Sequence, residues 1–207
     1  MQNTTSQILY KYWNEIRGGR MAPRRFEIEP ARFTAILPET FMVECEPGEV
    51  PRFRLTGTRV TEKLGVELRG HAFSDLFDAA DEADLKPFLA SIVNQGGVGV
   101  ITIGRTTPSG RNAVFEVLVL PLIHTAERVT RLLGTISART HEPWLGSETT
   151  RPGRILERGV IWPEGRPHAV AERMAPPPAQ SPFKYDFSRS RLVRLRRRQF
   201  RVYEGGR

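Results

Sequence analysis

The sequence predicts an α+β domain built on an antiparallel sheet, and three observations lead to this prediction. Segments rich in Val, Ile, Leu and Thr occur in runs joined by turns, at residues 40–56 and again at 98–140. Helix-like segments gather between these runs and ahead of the first. Strands and helices do not alternate singly, as a parallel sheet would require. We therefore expect a five-stranded antiparallel sheet in the order β-β-α-α-α-β-β-β, with a flanking helix before it.

The first element is a helix at the N-terminus. Five apolar residues share one of its faces at helical spacing: Ile8, Leu9, Tyr12, Trp13 and Ile16. Thr and Ser at positions 4–6 are suitable N-caps, and the Gly18-Gly19 pair ends the helix. Because this face is broad for so short a helix, it must cover either the sheet of its own chain or a partner. We assign the five residues as a candidate dimer or partner interface.

A second short helix and a hairpin come next. Pro30 can open the helix, and Pro38 stops it. Residues 40–46 and 52–56 are predicted strands, and Pro47-Gly48 fits the central positions of a type II turn. Residues 1–37 thus form an N-terminal helical cap ahead of the sheet.

The centre of the chain predicts helical turns and one long helix. Residues 57–77 contain short turns broken at Gly65 and Gly70, and Asp84 then caps the longer helix, which ends at Gly96-Gly97. Its apolar residues follow helical spacing: Leu85, Phe88, Leu89, Ile92 and Val93. Strands at residues 98–107, 113–123 and 131–140 complete a meander.

Charge is distributed unevenly along the chain. Residues 1–146 hold 17 Lys and Arg against 17 Asp and Glu, whereas residues 147–207 hold 14 against 6. The net charge of +8 therefore belongs to the C-terminal part. Frequent prolines there predict a largely irregular linker with one apolar anchor at residues 155–162, followed by an Arg-rich tail. We place the folded domain at residues 38–146, and the linker and tail at 147–207.

A recognisable signature runs through the first third of the chain: Tyr12-Trp13, Arg17-Gly18-Gly19-Arg20, Pro23, Arg25, Pro30, Leu37-Pro38 and Arg54-Leu55-Thr56-Gly57-Thr58-Arg59. With these residues, the chain resembles a family of bacterial single-PAS-domain proteins over about residues 8–140. The resemblance implies the PAS fold and a sensor or regulatory domain without enzymatic activity. It supplies no ligand.

The residue pattern contains no constellation typical of catalysis or metal binding. No Gly-x-Ser-x-Gly elbow is present, and the single cysteine, Cys45, lies in an apolar predicted strand. The histidines at 71, 124, 141 and 168 lack the spacing of metal ligands and have no cysteine partner. We therefore expect no enzyme and no metal site.

Two cofactors common in PAS domains are disfavoured. The long helix, residues 85–95, contains no His, Cys, Met or Tyr that could ligate a haem. Residues 57–80 contain no cysteine that could react with a flavin. An unidentified small organic molecule, or a core filled by side chains, remains open.

A candidate ligand pocket follows from the alternation of side chains along the strands and the inward face of the long helix. Its predicted lining is Arg54, Thr56, His71, Phe73, Phe88, Ile92, Phe115 and Val117. Most of these are also natural core residues, and a cavity would use a subset of them.

Arginines form two groups that could contact anions or partners: Arg17, Arg20 and Arg25 near the start, and Arg194, Arg196, Arg197 and Arg198 in the tail. The main hypothesis is a PAS-fold signalling protein that acts as a homodimer through small-ligand or protein contacts. The alternative is a regulator whose tail binds nucleic acid or an anionic surface. No apolar stretch approaches the roughly 20 residues of a membrane span, and no secretory signal is present, so we expect a cytoplasmic protein.

Overall fold

Six strands form one antiparallel sheet in the computed structural model, which describes residues 1–46, 48–125 and 128–174. The strands are β1 (Thr40–Glu44), β2 (Arg52–Thr56), β3 (Val98–Thr106), β4 (Asn112–Thr125), β5 (Arg128–Ala138) and β6 (Arg154–Ile161). Their order across the sheet is β2-β1-β5-β4-β3-β6. The predicted α+β class is confirmed.

Within the described residues, four α-helices and four 3-10 segments accompany the sheet. The helices are α1 (Thr4–Arg17), α2 (Thr58–Leu64), α3 (Glu82–Gln95) and α4 (His168–Met174). The 3-10 segments are Arg25–Glu27, Pro30–Glu39, Phe73–Leu76 and Ala79–Asp81. The helix predicted after Pro30 is therefore a 3-10 run, interrupted where Phe33 leaves helical φ/ψ values. Left-handed glycines end α1, α2 and α3, at Gly18, Gly65 and Gly96.

The predicted count of five strands is wrong by one, because β6 lies inside the segment expected to be a linker. The apolar anchor predicted at 155–162 is a strand that pairs with β3 from Val98↔Ile161 to Gly104↔Arg154. Residues 1–175 form one compact unit, so the fold does not stop at residue 146. Backbone pairing rather than burial holds β6, since most of its side chains are exposed.

The two faces of the sheet are covered by different parts of the chain. The Phe73–Leu76 turn and α3 pack on the inner face, where Phe41, Phe115 and Val117 point. Helix α1 lies on the outer face: the Trp13 indole Nε1 donates to the Pro121 carbonyl at 2.8 Å, and the Ser6 and Thr135 hydroxyls share a hydrogen bond of 3.1 Å. Both faces are therefore occupied by segments of the same chain.

Candidate functional site

The interior between the sheet and the central turns is filled by phenylalanine rings. The Phe53 and Phe73 ring centroids are 5.5 Å apart, and those of Phe73 and Phe77 are 5.3 Å apart. Phe41 lies 5.5 Å from Phe53 and 6.0 Å from Phe73. These spacings are typical of favourable aromatic pairs. The cluster occupies the space in which the sequence predicted a pocket.

Five of the predicted pocket residues do lie in this interior: Phe73, Phe88, Ile92, Phe115 and Val117 are all buried. Gly99 of β3 allows the close packing of the long helix, because a Cβ there would lie 2.5 Å from Ile92 Cδ1 and 2.7 Å from the Phe88 ring. These side chains belong to the core.

The three other predicted pocket residues are not in the interior. Arg54 is exposed and forms an ion pair with Glu44. His71 is exposed at 3.5 Å from Asp75, and the Thr56 hydroxyl donates to Glu67 at 3.4 Å. The prediction chose the wrong face of β2, because the apolar Phe53 turns inward there and Arg54 therefore turns outward.

Open space lies beside α3 instead. The helix and the connection between β1 and β2 border two adjoining grooves of about 330 Å³ and 720 Å³, both lined by Pro51 and Leu89. The larger one extends along Val93 to Cys45 and Thr130. Both volumes fall in the range of roughly 300–1,000 Å³ that small-molecule sites occupy. We call the larger one the α3 groove.

Polar groups border the α3 groove on the sheet side, where Thr130 and Cys45 lie beside Glu46 and Arg128. Thr130 is only 4% exposed, and its Oγ1 has no hydrogen-bond partner among the residues that the structure describes. Burial raises the pKa of the Cys45 thiol to about 12, so the thiol stays protonated at neutral pH and is a poor nucleophile. The sequence analysis did not identify Thr130 as a buried residue. Its position two residues before Leu132 on β5 places it on the same inward face, and this could have been used.

A second unexpected feature is the segment at residues 148–153, which we call the strap. Backbone hydrogen bonds join it to three elements: Thr150 N donates to the Leu64 carbonyl at 2.9 Å, Arg151 N to Thr106 at 2.9 Å, and Gly153 N to Leu76 at 3.0 Å. Asp78 N in turn donates to the Gly153 carbonyl at 2.9 Å. The strap therefore ties β6 to the end of α2 and to the Phe73–Leu76 turn.

Arg105 anchors the strap from inside. Its Nε donates to Thr150 Oγ1 at 2.8 Å, Nη2 to the Thr150 carbonyl at 3.1 Å, and Nη1 to the Leu76 carbonyl at 2.9 Å. No carboxylate in the described part of the chain forms an ion pair with it. Burial lowers the pKa of this guanidinium to about 10, which still leaves it charged at neutral pH. A cation is thus held in the interior by neutral acceptors alone.

Most of the predicted interface on α1 is buried inside its own chain. Leu9 and Trp13 are fully buried and Tyr12 is 6% exposed, so these three do not form the predicted dimer interface. Ile8 is 44% exposed, and Ile16 is partly buried. The predicted helix is confirmed, and its apolar face packs on the outer face of the sheet.

Two carboxylates hold α1 in place. Glu116 accepts hydrogen bonds from the backbone N–H groups of Gln2 at 2.6 Å and Asn3 at 3.2 Å. Glu39 accepts from the Thr5 hydroxyl at 2.9 Å, the Ser137 hydroxyl at 2.6 Å and the Lys63 ammonium at 2.9 Å. Burial opposes ionisation of Glu39, but these hydrogen bonds outweigh it and the pKa of Glu39 is lowered.

The N-terminal arginines are engaged within the chain rather than presented to an anion. The Arg17 guanidinium is buried and pairs with Glu164 at 2.7 Å, and Arg20 pairs with Glu27 at 3.0 Å. Arg25 is half-buried. The predicted anion contacts at Arg17 and Arg20 are therefore structural ion pairs. Tail residues Arg194, Arg196, Arg197 and Arg198 lie outside the described residues.

Metal binding and membrane insertion find no support in the described ranges. Across residues 1–46, 48–125 and 128–174, no three His, Cys, Asp or Glu side chains come together in a way that could hold a metal ion. In the same ranges, every helix is too short or too polar to span a bilayer.

Comparison with known proteins gives a family match and similarity to solved structures. A family model described as "PAS domain" matches residues 1–137. A solved structure titled "Structure of an RNA-binding Light-Oxygen-Voltage Receptor" is similar at 18% identity with a TM-score of 0.39, over 56% of this chain and 35% of that one. The chain thus spans about a third of that protein, and a similarity this low says nothing of ligand or target. No curated protein sequence matches.

Proposed function

Because this chain belongs to the PAS domain family, a family of sensory and signalling domains, we propose that it is a non-enzymatic regulator that signals through contacts of the strap and β6. Burial keeps the Cys45 thiol neutral, which disfavours catalysis by a thiolate at this position. In this proposal the packing of the phenylalanine rings determines the position of the strap and β6. A protein partner binds according to that position.

One observation carries the proposal: the core and the strap share hydrogen-bonded residues. Phe77 packs against Phe73 in the aromatic cluster and also forms a parallel bridge with Gly153 of the strap. Its neighbour Leu76 accepts from both Gly153 and Arg105. A rearrangement of the rings would therefore move Leu76 and Phe77, which contact the strap directly, and the strap leads into β6.

Hydrogen–deuterium exchange of the full chain tests this route. Phe73→Leu loosens the ring cluster, and we expect faster exchange across residues 148–161 than in wild type, with α1 unaffected. The matched control is Phe26→Leu, because Phe26 is 75% exposed and outside the cluster. If exchange at 148–161 is the same in wild type and Phe73→Leu, the coupling does not exist and the proposal fails.

The homodimer needs a surface other than α1, and we assign it to β6. No strand of the described chain pairs with the free edge of β6. A two-fold axis normal to the sheet makes the β6 strands of two copies antiparallel neighbours, and each then supplies the backbone N–H and C=O groups that the edge of the other lacks. Leu156 of β6 is 60% exposed, and an apolar side chain on an open edge strand favours such pairing.

Substitution of Leu156 tests the dimer by sedimentation at micromolar concentrations. Leu156→Lys puts a charged side chain on the edge strand of both copies and should give a monomer. Glu67→Arg, a change at an exposed position outside β6, is the control. A monomeric wild type, or a dimer that survives Leu156→Lys, rules out this interface.

A further inference from the structure

A groove beside the strap brings charges of both signs together. Its volume of about 830 Å³ lies within the range of small-molecule sites. The turns ahead of α3 and the first residue of that helix contribute three carboxylates, Asp75, Asp78 and Glu82. The strap and the first residue of β6 contribute two guanidinium groups, Arg151 and Arg154. We call this space the strap groove.

The opposite charges in the strap groove do not neutralise one another. The two segments are in direct contact, since Asp78 N donates to the Gly153 carbonyl at 2.9 Å. Even so, Arg151 and Arg154 are exposed, and neither guanidinium forms an ion pair with a carboxylate of the described residues. Charged groups of both signs therefore stay available to a ligand.

The three carboxylates differ in how far they are already engaged. Asp75 Oδ2 accepts from Ala72 N at 3.0 Å, and Asp78 Oδ1 accepts from Ala80 N at 3.0 Å. Both therefore cap local turns. Glu82 is exposed, and its carboxylate has no hydrogen bond or ion pair within the described part of the chain. Glu82 is thus the acidic side chain best able to accept a cationic group.

The rest of the lining is uncharged and mostly apolar. It consists of Ser74, Phe77, Ala79, Gly104, Thr106 and Pro152. The Thr106 hydroxyl already donates to Asn112 Oδ1 at 2.8 Å. A surface of this kind can accommodate a short hydrocarbon chain between the charged ends of a ligand.

The balance of charge in the strap groove selects the class of ligand. A ligand with negative charge alone would meet three carboxylates, and a ligand with positive charge alone would meet two guanidinium groups. An uncharged ligand would displace water from these groups without replacing their hydration. A molecule that carries both charges, some distance apart, can pair with both sets.

We propose that the strap groove binds a small zwitterion whose carboxylate and ammonium groups are separated by a hydrocarbon chain. Its carboxylate pairs with Arg151 and Arg154, and its ammonium group pairs with Glu82. This site goes beyond the proposed function, because binding here requires neither the link between the phenylalanine core and the strap nor the pairing of β6. Each proposal can fail while the other stands.

The test uses 6-aminohexanoate as the probe, and hexanoate and hexylamine as analogues that each lack one charge. Each compound is titrated into ¹⁵N-labelled full-length protein at low salt, because salt screens exposed ion pairs. We expect 6-aminohexanoate to saturate at millimolar concentrations, with amide chemical-shift changes at residues 74–82 and 151–155. Both analogues should bind about threefold more weakly or worse, since each forms ion pairs at only one end.

Glutamine substitutions remove the charges in turn. The double variant Arg151→Gln with Arg154→Gln should weaken 6-aminohexanoate about fivefold and leave hexylamine binding no weaker. Glu82→Gln should weaken 6-aminohexanoate about threefold and leave hexanoate binding no weaker. The matched controls are Arg69→Gln and Glu62→Gln, at exposed positions outside the groove, and they should leave all three affinities unchanged.

Any one of four outcomes overturns the proposal. The first is a lack of saturation by 6-aminohexanoate below about 10 mM in wild type. The second is equal affinity for 6-aminohexanoate and hexanoate, which would indicate a simple anion site. The third is unchanged affinity in Glu82→Gln, and the fourth is an equal loss in the control variants. The comparison of the three compounds on wild type needs no substitution and so does not depend on the folding of any variant.

Discussion

Arg105 and Thr150 are joined by two hydrogen bonds, one from Nε to the threonine Oγ1 at 2.8 Å and one from Nη2 to its carbonyl at 3.1 Å. The pair connects an inward position of β3 to a segment 45 residues later in the chain. Because the guanidinium is buried without a carboxylate, hydrogen bonds to neutral oxygen atoms replace the hydration that it loses on folding.

Thr150→Val should therefore destabilise the fold by about 2 kcal/mol, since it leaves a donor of a buried cation unpaired. Urea unfolding at pH 7 measures the difference. Thr149→Val is the matched control: its hydroxyl donates to the Gly65 carbonyl at 3.0 Å at an exposed position, and its loss should cost under about 0.5 kcal/mol. Equal effects of the two variants would contradict the role given to Arg105.

Gly153 has little room for a side chain. A Cβ at this position would lie 2.8 Å from Arg105 Cγ and 3.2 Å from Ile103 Cβ, both close to the backbone of β3. Gly153→Ala should cost about 2 kcal/mol through overpacking. Gly159→Ala, in β6, should be close to neutral, because no atom lies within 4 Å of its Cβ position. Thermal unfolding of both variants gives the comparison.

Trp13→Ala should act on stability. The indole is fully buried against the sheet, so its removal should cost about 4 kcal/mol. Ile8→Ala, on the same helix but 44% exposed, should cost less than about 1 kcal/mol. Denaturant unfolding and sedimentation are measured together. A change of mass at unchanged stability would favour the dimer interface that the sequence suggested.

Glu39 makes stability depend on pH in a defined direction. Its folded pKa is lowered from 4.5, so the stabilisation that it supplies is complete above pH 4.5 and is lost as the pH falls through the lower folded value. Glu39→Gln should cost about 1–2 kcal/mol at pH 7, and the gap to wild type should close on acidification. Urea unfolding between pH 3 and pH 8 tests this. A gap that widens towards low pH would have the wrong sign.

Periodicity predicted the elements that bury a face. Leu85, Phe88 and Ile92 mark α3 correctly, because a helix packed on one side must repeat its apolar residues at helical spacing. The same argument cannot say what an apolar face packs against. Trp13 would show the same pattern on a dimer interface as on its own sheet, so the sequence leaves the partner of α1 open. Burial inside the chain removes Leu9, Tyr12 and Trp13 from the predicted interface.

Elements held by backbone hydrogen bonds escaped prediction. Most β6 side chains are exposed, so Leu156 and Arg158 give no alternation of buried and exposed types, and flanking prolines suggested a linker. The burial of Arg105 could be predicted from the sequence, since Arg105 continues the series of inward-facing positions at Ile101 and Ile103. The choice of Thr150 as its acceptor could not be predicted, because no local sequence pattern links two positions so far apart. The missed Thr130 hydroxyl is similar: a threonine in a strand is ordinary until its surroundings are known.

The pairing of β3 with β6 has a practical consequence for dividing the chain. The family match ends at residue 137, whereas the hydrogen-bonded ladder continues to Ile161. A fragment cut at residue 137 would leave unpaired the edge of β3 that faces β6, and the open N–H and C=O groups of that edge would be a template for pairing between molecules. Such a fragment should aggregate on expression. The smallest piece that folds cooperatively is therefore set by the last strand of the ladder and not by the limit of recognisable similarity.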